Sequence, residues 1–398
     1  MPLLRPRALL ATTALAATMI VPLAASTTAS AKPDEDGRSF TYAVYGDAPY
    51  GTSPTDTSET DATPGFIAEV NADTAVSGVV HVGDIHSGSQ YCTEAYDRQI
   101  ADLWSTFQDP MVYTPGDNEW ADCHKKKEGG GSYDATTGTV RYVLGSDGNP
   151  VGYASGNPVA NLDLIRSIFF AHPGTTLGGG GLAVLSQAQV DNSAHPTDSQ
   201  YVENVMWQRK GVVFVTVNLP GGSNNDADPW YGAPTATSEQ TTEAARRTAA
   251  DLRWLDRAFA VADAQGAQGV VVVLQADMWD RDGGTTNDHL TNYEPLVSAL
   301  ATHTTALGKP VLLLNGDSHV YRSDNPLQEG SHCIGDNDVC SFDAWQAHPS
   351  YDVPNFHRVV VHGSTVPLEY LRLTITPGQR GPATATSFGP FSWERVTD

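Results

Sequence analysis

The sequence is short of positive charge and of charged residues in general. Of its 398 residues, 23 are lysine or arginine and 46 are aspartate or glutamate, so the formal net charge is −23 and charged residues make up 17%. Nucleic acids and anionic lipid surfaces would be repelled, so we expect neither a nucleic acid duplex nor an anionic membrane as a partner. The acidic excess is either solvated surface or, in part, a set of carboxylates that holds metal.

Long apolar runs and several familiar motifs are also missing. After residue 31 no apolar run reaches the roughly 20 residues that a membrane-spanning helix needs, so no transmembrane segment is predicted in the mature chain. There is no P-loop, no dinucleotide-binding glycine fingerprint and no Gly-x-Ser-x-Gly elbow, which argues against a serine esterase. The apolar content of 40% is too high for a disordered chain.

Residues 1–31 have the pattern of a secretory signal peptide. Arg5 and Arg7 give a basic start, an apolar stretch follows, and residues 29–31, Ala-Ser-Ala, form a small-residue cleavage site. A membrane anchor is the alternative, but Pro22 interrupts the apolar stretch. We therefore predict a secreted protein, extracellular or in the cell envelope, with residues 32–398 forming one catalytic domain.

Cysteine is scarce, with four residues, all in the mature chain. An even count in an oxidising compartment predicts two disulfides. Three pairings are open, and we favour Cys92 with Cys123 and Cys333 with Cys340. A four-cysteine metal site is the alternative, although no Cys-x-x-Cys spacing occurs.

Short, near-continuous apolar runs indicate strands that are buried on both faces. A segment whose apolar residues recur at helical spacing, from about Ser238 to Ala264, lies between two of them. Strands that alternate with helices predict a layered α/β fold. Two further runs, 358–362 and 369–375, suggest an antiparallel pair joined at Gly363. The main runs are 40–45, 78–82, 110–114, 212–217, 270–274 and 310–314.

Residues 125–200 differ from the rest of the mature chain. They are rich in glycine, asparagine and serine, and include four consecutive glycines at 178–181. We interpret this segment as an insertion within the domain. It is either a lid over the site or a plain surface excursion.

Polar residues follow five of the apolar runs, at the point where each strand should end. The carboxyl ends of strands in an α/β sheet form the ligand crevice, and clustered carboxylates repel one another unless a cation neutralises them. The shared position and chemistry of these segments therefore predict a metal site. They are 46–50 (Gly-Asp-Ala-Pro-Tyr), 83–86 (Gly-Asp-Ile-His), 115–119 (Pro-Gly-Asp-Asn-Glu), 275–277 (Gln-Ala-Asp) and 315–319 (Asn-Gly-Asp-Ser-His).

In these segments the sequence resembles the calcineurin-like metallophosphoesterase superfamily, in a divergent secreted branch. The resemblance covers roughly residues 40–375 and implies a four-layer α/β/β/α sandwich with mixed sheets. It also implies a set of metal ligands, in which Gln275 and Asp317 stand where the family has histidines. That set is Asp47, Asp84, Asn118, Gln275, Asp317 and His319.

Other departures from the family pattern concern histidines as well. Pro49 stands where the family has a metal-binding histidine, and Tyr50 is its nearest replacement, although we do not count it as a ligand. Oxygen ligands in place of imidazoles favour Mg²⁺, Mn²⁺ or Ca²⁺ relative to Zn²⁺ or Fe. The resemblance thus implies two divalent metal ions, with Mn, Mg, Ca, Zn and Fe all left open.

The resemblance implies hydrolysis of a phosphate mono- or diester by attack of a metal-bound hydroxide at a two-metal site. The substrate would be a small-molecule or lipid phosphoester, and the oligomeric state is open. A nearby acid should protonate the leaving group. His86 is the first candidate, Glu119, in the place of the family's catalytic histidine, is the second, and His124 is the third. His86 could instead orient a metal ligand. The alternative function is a catalytically inactive extracellular binding protein that retains the fold.

Overall fold

The structure is a computed structural model that describes residues 38–225, 228–281, 288–336, 340, 342–365 and 368–397. The predicted signal peptide, residues 1–31, lies outside these ranges. Within them, no helix combines the length and the apolar character needed to cross a membrane.

In chain order the strands are β1 (Phe40–Tyr45), β2 (Val76–His81), β3 (Pro110–Tyr113), β4 (Gly131–Asp134), β5 (Thr139–Tyr142), β6 (Leu177–Gly178), β7 (Leu185–Ser186), β8 (Val205–Arg209), β9 (Val212–Thr216), β10 (Gly269–Val273), β11 (Val311–Asn315), β12 (Arg322–Asp324), β13 (Ile334–Gly335), β14 (Phe356–Val360), β15 (Glu369–Ile375), β16 (Ser387–Phe388) and β17 (Phe391–Thr397). The helices are α1 (Ser58–Ala72), α2 (Glu94–Trp104), α3 (Pro158–Phe169), α4 (Gly221–Asn225), α5 (Ser238–Ala264) and α6 (Glu294–Leu307).

Two large mixed sheets organise these elements. The first has the strand order β16-β17-β15-β1-β2-β3-β6, and the second β13-β12-β14-β11-β10-β9-β8-β7. In the first sheet β1, β2 and β3 run parallel, and in the second β9, β10, β11 and β14 do. The β4–β5 hairpin forms a separate small sheet.

Three apolar clusters separate four layers. Along β10, Val271 and Val273 pack between the two sheets, whereas Val270 and Val272 pack against α5 and α6. A third cluster joins the outer face of the first sheet to α1, α2 and α3. This alternation is what strands covered on both faces require. It confirms the predicted four-layer α/β/β/α sandwich with mixed sheets.

Polar caps fix where several helices begin. Side-chain oxygens of Thr93, Asn157 and Thr237 each accept a hydrogen bond from the amide three residues further on, at the starts of α2, α3 and α5. Helix α5 spans the range that the sequence predicts. Helix α6 ends at Leu307, and Gly308, which follows it, has a φ of 60°, the left-handed conformation that glycine adopts without strain.

The predicted pairing of the last two apolar runs is wrong. β14 lies in the second sheet beside β11 and β12, and β15 lies in the first sheet beside β1 and β17. The chain between them crosses from one sheet to the other, and on the way the amide of Ser364 donates to the carbonyl oxygen of Asp47 at 2.7 Å. A side chain at Gly363 would overlap that of Asp47, so the crossing needs glycine there.

Both predicted disulfides are present. Cys92 pairs with Cys123, and Cys333 pairs with Cys340. Residues 125–200 contain the β4–β5 hairpin, helix α3 and the short edge strands β6 and β7. Ile165 and Phe169 of α3 pack into the cluster on the outer face of the first sheet. Part of this segment therefore belongs to the packed layers, and a lid function for it stays a prediction.

Candidate metal centre

The carboxyl ends of the central strands of both sheets meet at one edge of the sandwich. Of the hydrogen bonds that cross between the sheets there, two join predicted ligands to each other. The amide of Asp317, after β11, donates to Oδ1 of Asp47, after β1, at 2.8 Å. Nε2 of Gln275, after β10, donates to Oδ2 of Asp84, after β2, at 3.1 Å. Predicted metal ligands that lie far apart in the sequence are thus in contact.

Three of the predicted metal ligands form a compact group. Asp47, Asp84 and His319 each place one ligand atom within 4.8 Å of the other two. Nε2 of His319 lies 3.5 Å from Oδ1 of Asp47. Oδ2 of Asp47 is buried and has no hydrogen-bond partner among the described residues. A buried, unpartnered carboxylate oxygen is costly unless a cation binds it.

The backbone at this edge is held in an uncommon conformation. Asp47, Asp84, Asp317 and His319 have φ values of 49°, 60°, 77° and 58°, in the left-handed region that non-glycine residues seldom adopt. Such conformations cost free energy and persist where the surrounding structure imposes them, often at functional sites. The effect here is to aim side chains of consecutive strand ends at one point.

Glycines allow the backbone to come close to these carboxylates. A side chain at Gly116 would overlap Oδ1 of Asp84, and one at Gly316 would overlap Oδ2 of Asp47. The glycines of the Gly-Asp pairs therefore have a packing role in addition to forming turns. The glycine of one strand end makes room for the carboxylate of a neighbouring one.

The other predicted ligands surround this group through hydrogen bonds. Nδ2 of Asn118 donates to Oδ2 of Asp84 at 3.1 Å. Nε2 of Gln275 also donates to Oδ1 of Asp317 at 3.2 Å and to Oδ1 of Asp117 at 2.9 Å, while its Oε1 accepts the amide of Gly221 at 2.5 Å. All six predicted ligands therefore belong to one network.

Two further residues of the site were not assigned to it from the sequence. Asp117 contacts Gln275, and the signal for it was its place directly before Asn118 in the third strand-end segment. The hydroxyl of Tyr50 donates to Oδ2 of Asp84 at 2.7 Å and accepts from Nδ2 of Asn118 at 3.0 Å. Nε2 of His319 lies 3.2 Å from the same hydroxyl. Tyr50 thus lies at the centre of the network.

Burial raises the pKa of Asp47 well above its usual range. It does the same for Asp84, with the charges of Asp117 and Glu119 adding to the effect, and for Asp317, with Asp117 adding. These carboxylates cannot all stay ionised unless a positive charge lies among them. The carboxylate oxygens, with one imidazole, fit divalent cations of the harder kind. Asn118 and Gln275 direct their amide nitrogens, not their oxygens, at Asp84.

A buried arginine supports the second-sheet side of the site. The Arg358 guanidinium donates to Oδ1 of Asp277, and its Nε and Nη2 donate to the two oxygens of Asp324, each at 2.9 Å. Asp277 in turn donates its amide to Oδ2 of Asp317 at 2.8 Å. Arg358 therefore holds the loop after β10 and neutralises both carboxylates.

The three candidate acids make no hydrogen bond to the predicted ligands among the described residues. His86 is fully buried, its Nε2 has no hydrogen-bond partner among the described residues, and burial lowers its pKa to about 4. Oε1 of Glu119 accepts from the hydroxyl of Tyr113 and the amide of Gly116. Nδ1 of His124 accepts the amide of Tyr231 at 2.9 Å, and burial lowers its pKa to about 3.

A cavity of about 720 Å³ opens over the second-sheet side of the network. His319 and Asp317 lie in its wall, together with Asp117 and His289. His86, Glu119 and His124 are not among the described residues that line it. A small molecule could therefore reach the predicted ligands from this side.

Comparison with known proteins gives a distant likeness. No protein-family model matches the sequence, and no curated protein sequence matches it. Among solved structures, the purple acid phosphatase PPD1 isolated from yellow lupin (Lupinus luteus) seeds is similar to this chain, with 12% sequence identity and a TM-score of 0.42. The likeness covers 91% of this chain and 52% of the plant chain, so this chain spans about half the length of that protein.

Proposed function

We propose that the protein is a metal-dependent phosphoesterase that hydrolyses a phosphate mono- or diester. The observation that carries the proposal is the group formed by Asp47, Asp84 and His319, whose ligand atoms lie within 4.8 Å of one another although they follow three different strands. The unpartnered Oδ2 of Asp47 supports a cation at this place.

In this proposal two divalent ions are held by the predicted ligands and would supply Lewis-acid activation of the phosphoryl group and of water. The chain itself orients those ligands. Tyr50 holds Asp84 through its hydroxyl, Asp277 holds Asp317 through its amide, and Arg358 holds Asp277. The ligands are Asp47, Asp84, Asn118, Gln275, Asp317 and His319. The oxygen-rich set favours Mn²⁺, Mg²⁺ or Ca²⁺ over Zn²⁺ or Fe.

We propose His86 and Glu119 as the groups that transfer protons. The variants His86→Ala and Glu119→Gln should lose more turnover on an alkyl phosphate, whose leaving group needs a proton, than on nitrophenyl phosphate. Equal losses on both substrates would show that the residue supports the ligands instead. That outcome would agree with the burial of both side chains.

We also propose that the protein acts outside the cytoplasm. The basic, apolar and small-residue pattern of residues 1–31 supports export, and the two disulfides are compatible with an oxidising compartment. Fractionation of cells that express the full chain, with sequencing of the mature amino terminus, tests this. A product that keeps residues 1–31 inside the cell would contradict it.

The decisive experiment measures metal content and hydrolysis together. Protein purified without chelator is analysed for bound metals and assayed on nitrophenyl phosphate and bis(nitrophenyl) phosphate with added Mn²⁺, Mg²⁺ or Ca²⁺. We expect bound divalent metal and ion-dependent hydrolysis. Activity that survives complete metal removal would overturn the proposal. Bound metal with no hydrolysis of any ester would favour the inactive binding protein.

A further inference from the structure

The wall of the cavity over the metal centre is rich in carboxyl groups and poor in basic ones. Among the described residues that line it, Lys125 is the only lysine or arginine. A phosphate ester, itself an anion, must therefore approach the site past a surface that repels it. The acidic lining residues are Asp117, Asp122, Asp228, Asp277, Asp280 and Asp317.

The backbone holds Lys125 firmly in place. Its amide donates to the carbonyl oxygen of Asp122 at 2.7 Å, and its own carbonyl oxygen accepts the amides of Glu128 and Gly130, each at 3.0 Å. Two residues before it, Cys123 is tied to Cys92 by a disulfide. The start of the Lys125 side chain is thus fixed relative to the cavity.

The ammonium group is oriented by Asp122. Nζ of Lys125 lies 2.5 Å from Oδ2 of Asp122 and 4.0 Å from Oδ2 of Asp228, and the side chain is 37% exposed. An ammonium group has three N–H donors, and the hydrogen bond to Asp122 uses one of them. Donors remain that can reach a ligand in the cavity.

Lys125 lines the same cavity as Asp317 and His319 of the predicted ligand set. A Cβ placed on Gly222 would lie 3.7 Å from Oδ1 of Asp122 and 3.8 Å from Oδ2 of Asp117. Asp117 in turn contacts Gln275 of the predicted ligand set. The Asp122–Lys125 pair therefore borders the network, at the side where the cavity opens.

We propose that Lys125 binds the phosphate group of the substrate and selects phosphomonoesters over phosphodiesters, an inference that rests on the proposed phosphoesterase activity. A monoester carries roughly two negative charges near pH 7 and has three terminal oxygens. In a diester one of those oxygens is esterified and carries no charge. The additional charged oxygen of the monoester is the feature that an ammonium donor, placed beside the metal centre, binds.

The test compares three variants on two substrates with the metal that supports activity. Lys125→Met removes the charge and keeps the length, Lys125→Arg keeps the charge, and Lys127→Met is the matched control, because Lys127 is exposed and is not among the lining residues. The substrates are nitrophenyl phosphate and bis(nitrophenyl) phosphate. Thermal unfolding of each variant checks that it folds.

We expect Lys125→Met to raise KM for the monoester by about 10- to 100-fold, the size of a lost hydrogen bond between charged groups, with a much smaller change for the diester. Lys125→Arg should restore most of the difference, and Lys127→Met should change neither KM. Unchanged KM values in Lys125→Met, or equal changes for both substrates, would overturn the inference.

A failure of the proposed phosphoesterase activity can be distinguished from a failure of the proposed role of Lys125. If the unmodified protein hydrolyses neither ester with any ion, calorimetric titration with inorganic phosphate in the presence of Mn²⁺ still tests Lys125. Phosphate binding that is lost in Lys125→Met and kept in Lys125→Arg and Lys127→Met supports the role of Lys125 in a binding protein. No phosphate binding, or binding that Lys125→Met leaves intact, contradicts it.

Discussion

The backbone amide of Asp317 donates to Oδ1 of Asp47 at 2.8 Å, across the gap between the two sheets. This contact orients the Asp47 carboxylate so that its other oxygen, Oδ2, stays buried without a partner among the described residues. In the proposed metal centre this second oxygen is the one that would bind a cation.

Asp47→Asn should remove the oxygen available to a cation and keep the fold. The asparagine oxygen can still accept the Asp317 amide, but an amide nitrogen would replace the oxygen offered to the cation. We expect the affinity for Mn²⁺ to fall by about 100-fold or more, since even partners outside the ligand set contribute about 10- to 100-fold. Calorimetric titration with Mn²⁺ measures it, with the exposed Asp263→Asn as control. An unchanged affinity would remove Asp47 from the ligand set.

Gln275→Glu should make the protein depend more strongly on metal for its stability. The change places a further carboxyl group beside Asp84, Asp117 and Asp317, which the Gln275 amide now contacts as a donor. Without metal we expect Tm to fall by a few degrees, on the scale of about 1–2 °C per kcal/mol for a domain of this size. Thermal unfolding with and without Mn²⁺ measures the effect. Gln265→Glu, at an exposed position, should leave Tm unchanged with and without Mn²⁺. An equal fall in Tm for Gln265→Glu would mean that the added net charge, and not its place beside the carboxylates, causes the loss.

Replacing Cys92 and Cys123 by serine should weaken the metal centre, because both sulfurs contact the carbonyl oxygen of Asn118, at 3.3 and 3.6 Å. The disulfide thereby braces the turn that carries Asp117 and Asn118. We expect about tenfold weaker Mn²⁺ binding as well as a lower Tm.

The matched control is the second disulfide, replaced by serine at Cys333 and Cys340. It should lower Tm and leave metal affinity unchanged. If both double variants lose affinity equally, the effect is one of general stability and the bracing role is wrong.

Glu59 should make stability fall as pH rises. Burial raises its pKa from 4.5 to about 7, against the opposing effect of the Tyr50 amide that it accepts at 2.5 Å. The folded protein therefore binds more protons than the unfolded chain between these two values, so the free energy of unfolding decreases as pH rises through that window. Glu59→Gln keeps an oxygen for Tyr50 and cannot ionise.

Denaturant unfolding at pH 4.5, 6 and 7.5 should show the variant gaining stability relative to the unmodified protein as pH increases, by about 1–3 kcal/mol over the range. Parallel curves for the two proteins would mean that Glu59 has an ordinary pKa. The comparison uses the difference between two proteins because other buried carboxylates titrate as well.

The sequence was informative where chemistry depends on local order along the chain. The Gly-Asp segments predict which strand ends carry ligands, because parallel strands place their carboxyl ends at one edge, and the structure brings Asp47, Asp84 and His319 together there. Both disulfide pairings and the four-layer sandwich are also confirmed.

The features that could not be predicted from the sequence depend on contacts between distant segments. The apolar pattern of β14 and β15 is the same whether they pair with each other or lie in different sheets, so their placement was mispredicted. The positions of Tyr50 and Lys125 follow from how loops fold over one another, and that of Arg358 follows from the place of β14 beside β11. Their residue types alone fit surface positions equally well.

The pairing of β1 with β15 also governs the order in which the molecule can form. Thr41 and Thr374, which face each other in this pair, are 333 residues apart in the chain. During synthesis β1 emerges early, yet the strand that pairs with one of its edges is made only when the chain is nearly complete. Contacts this far apart slow folding, because a long loop has to close before they form. The first sheet therefore cannot be completed until β15 has been made.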